Sequence, residues 1–179
     1  MASRKVLVTG GQRSGKSRYA ESLLADAATA SYVAPGPVPD QLRDPEWAHR
    51  VAEHRCRRPA TWLTIETTDL ADALRTAQPP ILVDCLGTWV TAVVDRLGSW
   101  DTPLDQWRDA FDSQLRDLVV AWRRVDGLLV GVTNEVGMGL VSEHRSGRVF
   151  TDLLGRVNQE IAAVSDDVIL VVAGRTLRL

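Results

Sequence analysis

Residues 10–17 read Gly-Gly-Gln-Arg-Ser-Gly-Lys-Ser, between an apolar run at 5–9 and a helix-like stretch that begins at Arg18. This is the phosphate-binding P-loop pattern G-x-x-x-x-G-K-[ST], in the strand–loop–helix context that its mechanism requires. Its glycines let the backbone curl so that successive amide groups point inward at a polyphosphate. The sequence therefore predicts a nucleotide-binding loop. Its members are Gly10, Gly11, Gln12, Arg13, Ser14, Gly15, Lys16 and Ser17.

The last two residues of this loop have separate expected roles. We expect Lys16 to reach the β and γ phosphates and to act in catalysis by stabilising charge on the transferring group. We expect the hydroxyl of Ser17 to bind Mg²⁺. The alternative for this segment is a glycine-rich turn with a solvated lysine, which the flanking strand and helix patterns disfavour.

The composition is that of an ordinary globular protein. The 179 residues are 45% hydrophobic and 25% charged, with a formal net charge of −2. This balance leaves no electrostatic footprint for nucleic acid or a membrane surface, so we expect neither as a partner. The two cysteines, Cys56 and Cys85, lack the spacing of a zinc or redox site. We expect one cytoplasmic domain over residues 1–179, with no signal peptide and no membrane span.

Short β-rich runs alternate with helical patterns along the chain. Strands are predicted at 5–9, 31–34, 62–66, 81–84, 128–133 and 168–172, and helices at 16–28, 44–57, 69–77, 89–97, 104–124 and 147–164. Several of these strands are apolar on both faces, as in the middle of a parallel sheet. The tail at 174–179 is too close to the preceding strand for a crossover, so we expect an antiparallel edge strand there.

This alternation predicts an α/β fold of three layers, with right-handed βαβ units and a mostly parallel sheet. Together with the P-loop, it indicates the RecA-like class of P-loop NTPase folds. Ligands in open α/β sheets bind outside the carboxyl ends of the strands. The loops that follow the strands are therefore the candidate site.

Asp84 ends the apolar run 81–83 and has the position of a Walker B acid. A carboxylate there can hold Mg²⁺ opposite Ser17, as phosphoryl transfer in P-loop enzymes requires. The alternative is an aspartate that caps the next helix, which fits the same position. Because a P-loop is present, we favour the role at the metal and nucleotide.

The segment Asn134-Glu-Val-Gly-Met-Gly139 follows another apolar strand and brings a carboxylate to the same edge of the sheet. Glu135 is a candidate catalytic residue, near the metal or as a base. A flexible turn is an equally good interpretation of this pattern alone.

The segment 44–59 is rich in arginine and histidine. As a helix it would bring Arg50, His54 and Arg58 within a turn of each other. The arginines could hold phosphate oxygens bidentately, and the surrounding cations would keep His54 uncharged and able to attack phosphorus. On pattern alone, a solvated basic helix with an ordinary histidine is the stronger alternative.

Taken together, these segments resemble the bifunctional adenosylcobinamide kinase / adenosylcobinamide-phosphate guanylyltransferase family of cobalamin biosynthesis. The matching motifs follow the family's order over almost the whole chain. They are 7–18 around the P-loop, His54 with 58–62, 83–86, 133–139, 150–159 and 170–174.

The resemblance implies two reactions on one scaffold. ATP or GTP donates its γ-phosphoryl group to the aminopropanol hydroxyl of adenosylcobinamide. A histidine then attacks the α-phosphate of GTP and releases pyrophosphate, and adenosylcobinamide phosphate takes the GMP group to give adenosylcobinamide-GDP. By resemblance, His54 is the guanylylated residue, Ser17 and Asp84 hold Mg²⁺, and the enzyme is a homo-oligomer, a trimer in the described case.

Two other classes of function stay open at this point. A small-molecule P-loop kinase without the nucleotidyl step would form no covalent intermediate. A nucleotide-dependent switch or binding protein is less favoured, because the sequence lacks the Asn-Lys-x-Asp motif of guanine-selective switches.

Overall fold

Seven strands form one sheet in the computed structural model, which describes residues 3–36, 44–98 and 100–179 apart from the side chains of Trp47 and Arg50. The strands are β1 (Arg4–Gly10), β2 (Ser31–Ala34), β3 (Leu63–Glu66), β4 (Ile81–Asp84), β5 (Leu128–Val132), β6 (Asp167–Val172) and β7 (Arg175–Arg178). Their spatial order is β3-β2-β4-β5-β1-β6-β7. All pairs are parallel except β6 with β7, which confirms the mostly parallel sheet and the antiparallel edge strand.

Helices connect the strands and cover both faces of the sheet. They are α1 (Lys16–Ser22), α2 (Pro45–Arg57), α3 (Leu70–Thr76), α4 (Leu86–Leu97), α5 (Arg108–Arg124) and α6 (Arg145–Ala162). One core cluster joins the sheet to α3, α4, α5 and α6. A second cluster, on the other side of the sheet, includes Ala20 of α1 together with Leu24, Tyr32 and Trp62. Two cores separated by one sheet are the three-layer arrangement that the sequence predicts.

The apolar stripe of α5 packs against the sheet as its three- and four-residue spacing predicts. Phe111, Leu118 and Trp122 are fully buried. Trp122 lies directly over Gly131 of β5, where an added Cβ would come within 2.2 Å of the indole ring. The glycine therefore makes room for the largest side chain of this core.

Three helix boundaries differ from the sequence prediction by three residues or more. After Ser22 the chain continues in tighter i→i+3 turns, such as the bond from the Ala25 amide to the Ser22 carbonyl, so α1 ends earlier than predicted. A 3₁₀ turn at Leu104–Gln106 precedes α5, and α4 begins at Leu86, directly after Cys85. Across the described ranges, no helix has both the length and the apolar character needed to cross a membrane.

Candidate active site

A cavity of about 1060 Å³ opens at the carboxyl ends of β1, β2 and β4. The P-loop forms one wall, and α2 contributes His54 to another. Tyr32 and Asp84 lie between them. The site is therefore at the edge of the sheet where open α/β folds bind their ligands.

The P-loop has the curled backbone that its glycines predict. Gly15 and Arg13 have φ values of 95° and 57°, in the left-handed region. The Ser14 amide donates to the Gly11 carbonyl at 3.2 Å, and Lys16 Nζ donates to the same carbonyl at 3.2 Å. Burial lowers the pKa of Lys16, while the nearby Cys85 and Asp84 oppose that change. Lys16 is thus held across the mouth of the loop.

Backbone hydrogen bonds from two neighbouring segments hold the P-loop in place. The Gly174 amide, in the turn between β6 and β7, donates to the Ser14 carbonyl at 2.9 Å. The Glu135 amide donates to the Gly10 carbonyl at 3.1 Å. Gly10 itself packs so closely on β6 that an added Cβ would lie 2.4 Å from the Val171 carbonyl oxygen. The shape of the P-loop therefore depends on the last two strands of the sheet.

Asp84 lies between the P-loop and α2. The residue that caps α4 is Cys85, so the alternative of Asp84 as a helix cap is not what the structure has. Its side chain is 8% exposed, and its Oδ2 atom lies 3.4 Å from His54 Nδ1 and 3.3 Å from the Tyr32 hydroxyl. Ser17 also interacts with this carboxylate and lowers its pKa. Asp84 therefore contacts both halves of the candidate site.

Asp84 stays ionised despite its burial. Burial alone raises the pKa of a carboxyl group because it penalises the charge. Here the interactions with His54, the hydrogen bond from Ser17 and the charge of Lys16 outweigh burial, and the pKa of Asp84 lies below its ordinary value. The site thus keeps a fixed negative charge at Asp84.

His54 lies on the last turn of α2 and is one third exposed. The sequence predicts arginines around its imidazole, but in the structure the ring faces the Asp84 carboxylate. Arg57 instead pairs with Glu21 of α1, at 3.1 and 3.2 Å. Because Nδ1 faces Asp84, Nε2 is the ring nitrogen available for attack.

Arg58 follows α2 and secures it against β2. Its guanidinium lies 3.5 Å from the centre of the Tyr32 ring, and its Nε donates to the His54 carbonyl at 3.1 Å. Its Nη1 is buried without a hydrogen-bond partner in the described part of the protein. The side chain of Arg50, the other predicted arginine, lies outside the described residues.

Glu135 lies beside the end of β1, where its amide donates to the Gly10 carbonyl. Its Oε2 accepts a hydrogen bond of 3.2 Å from Thr9 Oγ1, at the end of β1. The loop that follows it exposes the apolar side chains of Met138, Leu140 and Val141. Glu135 therefore contacts the end of β1, whereas His54 contacts Asp84 at the end of β4.

The donor set fits Mg²⁺ better than a metal that needs a protein cage. Among the described residues, no group of three or more His, Cys, Asp or Glu side chains could hold a metal ion. Ser17 and Asp84 offer two hard oxygen donors in hydrogen-bond contact. Mg²⁺ in nucleotide sites characteristically uses one or two protein oxygens together with phosphates and water.

Tyr32 is the site residue that the sequence analysis missed. In the sequence, Tyr32 looks like one more apolar residue of a buried strand, and it does not belong to a motif that would mark its hydroxyl as functional. The only signal is a polar tip near the carboxyl end of a strand, where ligands bind. The adjacency of β2 and β4, which gives that tip a partner, is a property of the sheet.

Comparison with known proteins identifies relatives over nearly the whole length. Residues 6–179 match the family described as CobU: Cobinamide kinase / cobinamide phosphate guanyltransferase. The chain is 44% identical to the bifunctional adenosylcobalamin biosynthesis protein CobU of Salmonella typhimurium, with 94% of this chain and 96% of that protein covered. It is 40% identical to the CobU protein of Escherichia coli, at the same coverage. It is 37% identical to the CobP protein of Pseudomonas aeruginosa, covering 97% of this chain and 95% of that one.

Solved structures support the fold alone. A prototypical ATPase from a bacterial type III secretion system superposes with a TM-score of 0.56 and 12% sequence identity. The match covers 94% of this chain but about half of that ATPase, 51%. The P-loop ATPase architecture predicted from the sequence is confirmed at this level.

Proposed function

Because the chain belongs to the cobinamide kinase / cobinamide phosphate guanyltransferase family, we propose that His54 is the residue that carries the guanylyl group in the second of its two reactions. The family makes the chain a bifunctional enzyme of cobalamin biosynthesis, both kinase and guanylyltransferase. The observation that carries the proposal for His54 is the contact of its Nδ1 with Asp84, in the cavity that also contains the P-loop.

In the first half of guanylyl transfer, His54 Nε2 attacks the α-phosphorus of GTP. A nitrogen–phosphorus bond forms, the bond from that phosphorus to its bridging oxygen breaks, and pyrophosphate leaves with the electron pair. The proton on Nδ1 stays between the ring and Asp84, so the carboxylate stabilises the positive charge of the substituted imidazole. Arg58, whose Nη1 lacks a partner in the described residues, is available for a phosphate oxygen.

In the second half, a phosphate oxygen of adenosylcobinamide phosphate attacks the same phosphorus. The new phosphorus–oxygen bond completes a diphosphate, and the electron pair of the broken nitrogen–phosphorus bond returns to Nε2. The products are adenosylcobinamide-GDP and free His54. Splitting the displacement lets two large substrates use the site in turn.

For the kinase reaction, the P-loop amides of residues 10–17 and Lys16 are proposed to hold the triphosphate of ATP or GTP. Ser17 and Asp84 would hold Mg²⁺, which when bound neutralises charge on the phosphates. Glu135 is proposed as the residue that accepts the proton of the adenosylcobinamide hydroxyl, since its carboxylate lies at the end of β1, where the P-loop begins.

We further propose that residues 1–179 act as one catalytic domain in a cytoplasmic homotrimer. The exposed apolar residues Met138, Leu140 and Val141, next to the P-loop, support an assembly that covers them. Light scattering behind size exclusion should give three times the 19.7 kDa chain mass. A monomer at micromolar concentration would contradict this.

The test of the central proposal is covalent labelling. Incubation with Mg²⁺ and GTP labelled at the α-phosphate should give an acid-labile, alkali-stable label on the wild-type protein. His54→Ala should lose the label, whereas His49→Ala, on the same helix and largely exposed, should keep it. Addition of adenosylcobinamide phosphate should discharge the label into product.

The same experiment separates the alternative of a kinase without the nucleotidyl step. That alternative predicts phosphorylation of adenosylcobinamide by an active wild-type protein that takes no label from GTP. Label that persists in His54→Ala would instead place the intermediate on another residue.

A further inference from the structure

We propose that Tyr32 is a positioning residue for guanylyl transfer, because its hydroxyl and its ring hold the two groups that orient His54. This inference rests on the proposed role of His54 as the guanylyl carrier. Tyr32 contacts Asp84 and Arg58, so its effect on the reaction goes through these two residues.

The sheet itself brings Tyr32 to Asp84. β2 and β4 are parallel neighbours, and Tyr32 stands opposite Leu82 in their register. Asp84 lies two residues beyond Leu82, and successive residues of a strand alternate between faces. Tyr32 and Asp84 are therefore diagonal neighbours on the same face, and the long phenol spans the remaining distance to Oδ2, at 3.3 Å.

The hydroxyl shares one carboxylate oxygen with the reactive histidine. Oδ2 of Asp84 accepts a hydrogen bond from the Tyr32 hydroxyl and also lies 3.4 Å from His54 Nδ1. Two donors on one oxygen limit the rotation of the carboxylate, and the carboxylate in turn fixes the plane of the imidazole. The Tyr32 hydroxyl is the donor of this bond, because an ionised carboxylate can only accept.

The ring of Tyr32 contacts Arg58, which is hydrogen-bonded to the backbone of His54. Tyr32 is 4% exposed and packs within the core cluster on its face of the sheet, so the ring has little freedom to move. Arg58 lies 3.5 Å above its centre and donates from Nε to the carbonyl of His54. Tyr32 therefore restrains the backbone of His54 through the cation–π contact with Arg58, and the side chain of His54 through the hydrogen bond to Asp84.

The test compares single-turnover labelling by α-labelled GTP in Tyr32→Phe and in Tyr19→Phe. Tyr19→Phe, on α1, is the matched control and should label like the wild type. Tyr32→Phe keeps the ring under Arg58 and loses only the hydroxyl. We expect its labelling rate constant to fall about tenfold, because one hydrogen bond to a charged group is lost. The half-saturating GTP concentration should stay within about twofold of the wild-type value, because the hydroxyl acts on Asp84 and not on nucleotide binding.

A double-mutant cycle with Asp84→Asn separates positioning through Asp84 from a general loss of structure. If Tyr32 acts through Asp84, adding Tyr32→Phe to Asp84→Asn should change the labelling rate constant by less than about twofold. Wild-type labelling in Tyr32→Phe, or effects that multiply in the double variant, would overturn the inference. A wild-type protein that takes no label, or whose label survives His54→Ala, would instead overturn the proposed function.

Discussion

Nδ1 of His54 lies 3.4 Å from Oδ2 of Asp84, across the cavity mouth between α2 and the end of β4. The same carboxylate interacts with Ser17 of the P-loop. One carboxylate therefore serves the metal side and the histidine side of a bifunctional site. The consequences can be measured separately for the two reactions.

Asp84→Asn should slow both reactions while the protein stays folded. Guanylylation should fall about 100-fold or more, because the amide cannot stabilise the imidazolium that forms on attack. Phosphorylation of adenosylcobinamide should fall as well, since a charged oxygen ligand for Mg²⁺ is lost. Single-turnover labelling and product chromatography measure the two rates. Asp126→Asn, an exposed aspartate before β5, is the control, and wild-type labelling by Asp84→Asn would contradict the assigned role.

Arg58→Lys should weaken the use of GTP without removing the charge. Lysine keeps the positive charge but cannot lie flat on Tyr32 while donating to the His54 carbonyl. We expect the GTP concentration for half-maximal labelling to rise about fivefold to tenfold. The matched control is Arg55→Lys, an exposed arginine of α2 that pairs with Glu66. Equal effects of the two substitutions would show that the geometry of Arg58 has no special role.

Glu135→Gln should separate the two activities. Its carboxylate contacts Thr9 beside the P-loop, whereas His54 contacts Asp84, so loss of the Glu135 charge should slow phosphorylation of adenosylcobinamide about 100-fold. Labelling of His54 by GTP should change less than about threefold. Glu143→Gln, exposed on the same connection, provides the comparison. An equal loss in both assays would argue against a role confined to the kinase step.

Gly10→Ala should destabilise the protein, and Gly11→Ala should not. A Cβ on Gly10 would lie 2.4 Å from the carbonyl oxygen of Val171, whereas a Cβ on Gly11 would meet nothing within 4 Å. Because the first contact is with backbone, the strand or the loop must shift, at a cost of about 1–3 kcal/mol in the free energy of unfolding. Thermal and urea unfolding check this, and equal stabilities would refute the close approach.

Much of the fold is readable from local patterns. The P-loop, the six predicted parallel strands and the C-terminal edge strand all follow from spacing of apolar residues and from glycine positions. The buried stripe of α5 does too, because a period of 3.6 residues marks one helix face whatever it packs against. The helix ends were less predictable, since tight turns such as those after Ser22 depend on how the chain leaves the helix.

The sequence by itself determined which residues could carry the chemistry. The loop at 10–17, His54 and Asp84 each belong to a motif that can be recognised in the sequence alone. Only the tertiary structure decided their partners. His54 and Asp84 are 30 residues apart in sequence, and Tyr32 meets Asp84 because β2 happens to pair with β4. Local spacing encodes the face on which a side chain lies, but the order of strands follows from the packing of the whole sheet, and that order brings the Asp84 carboxylate to the imidazole.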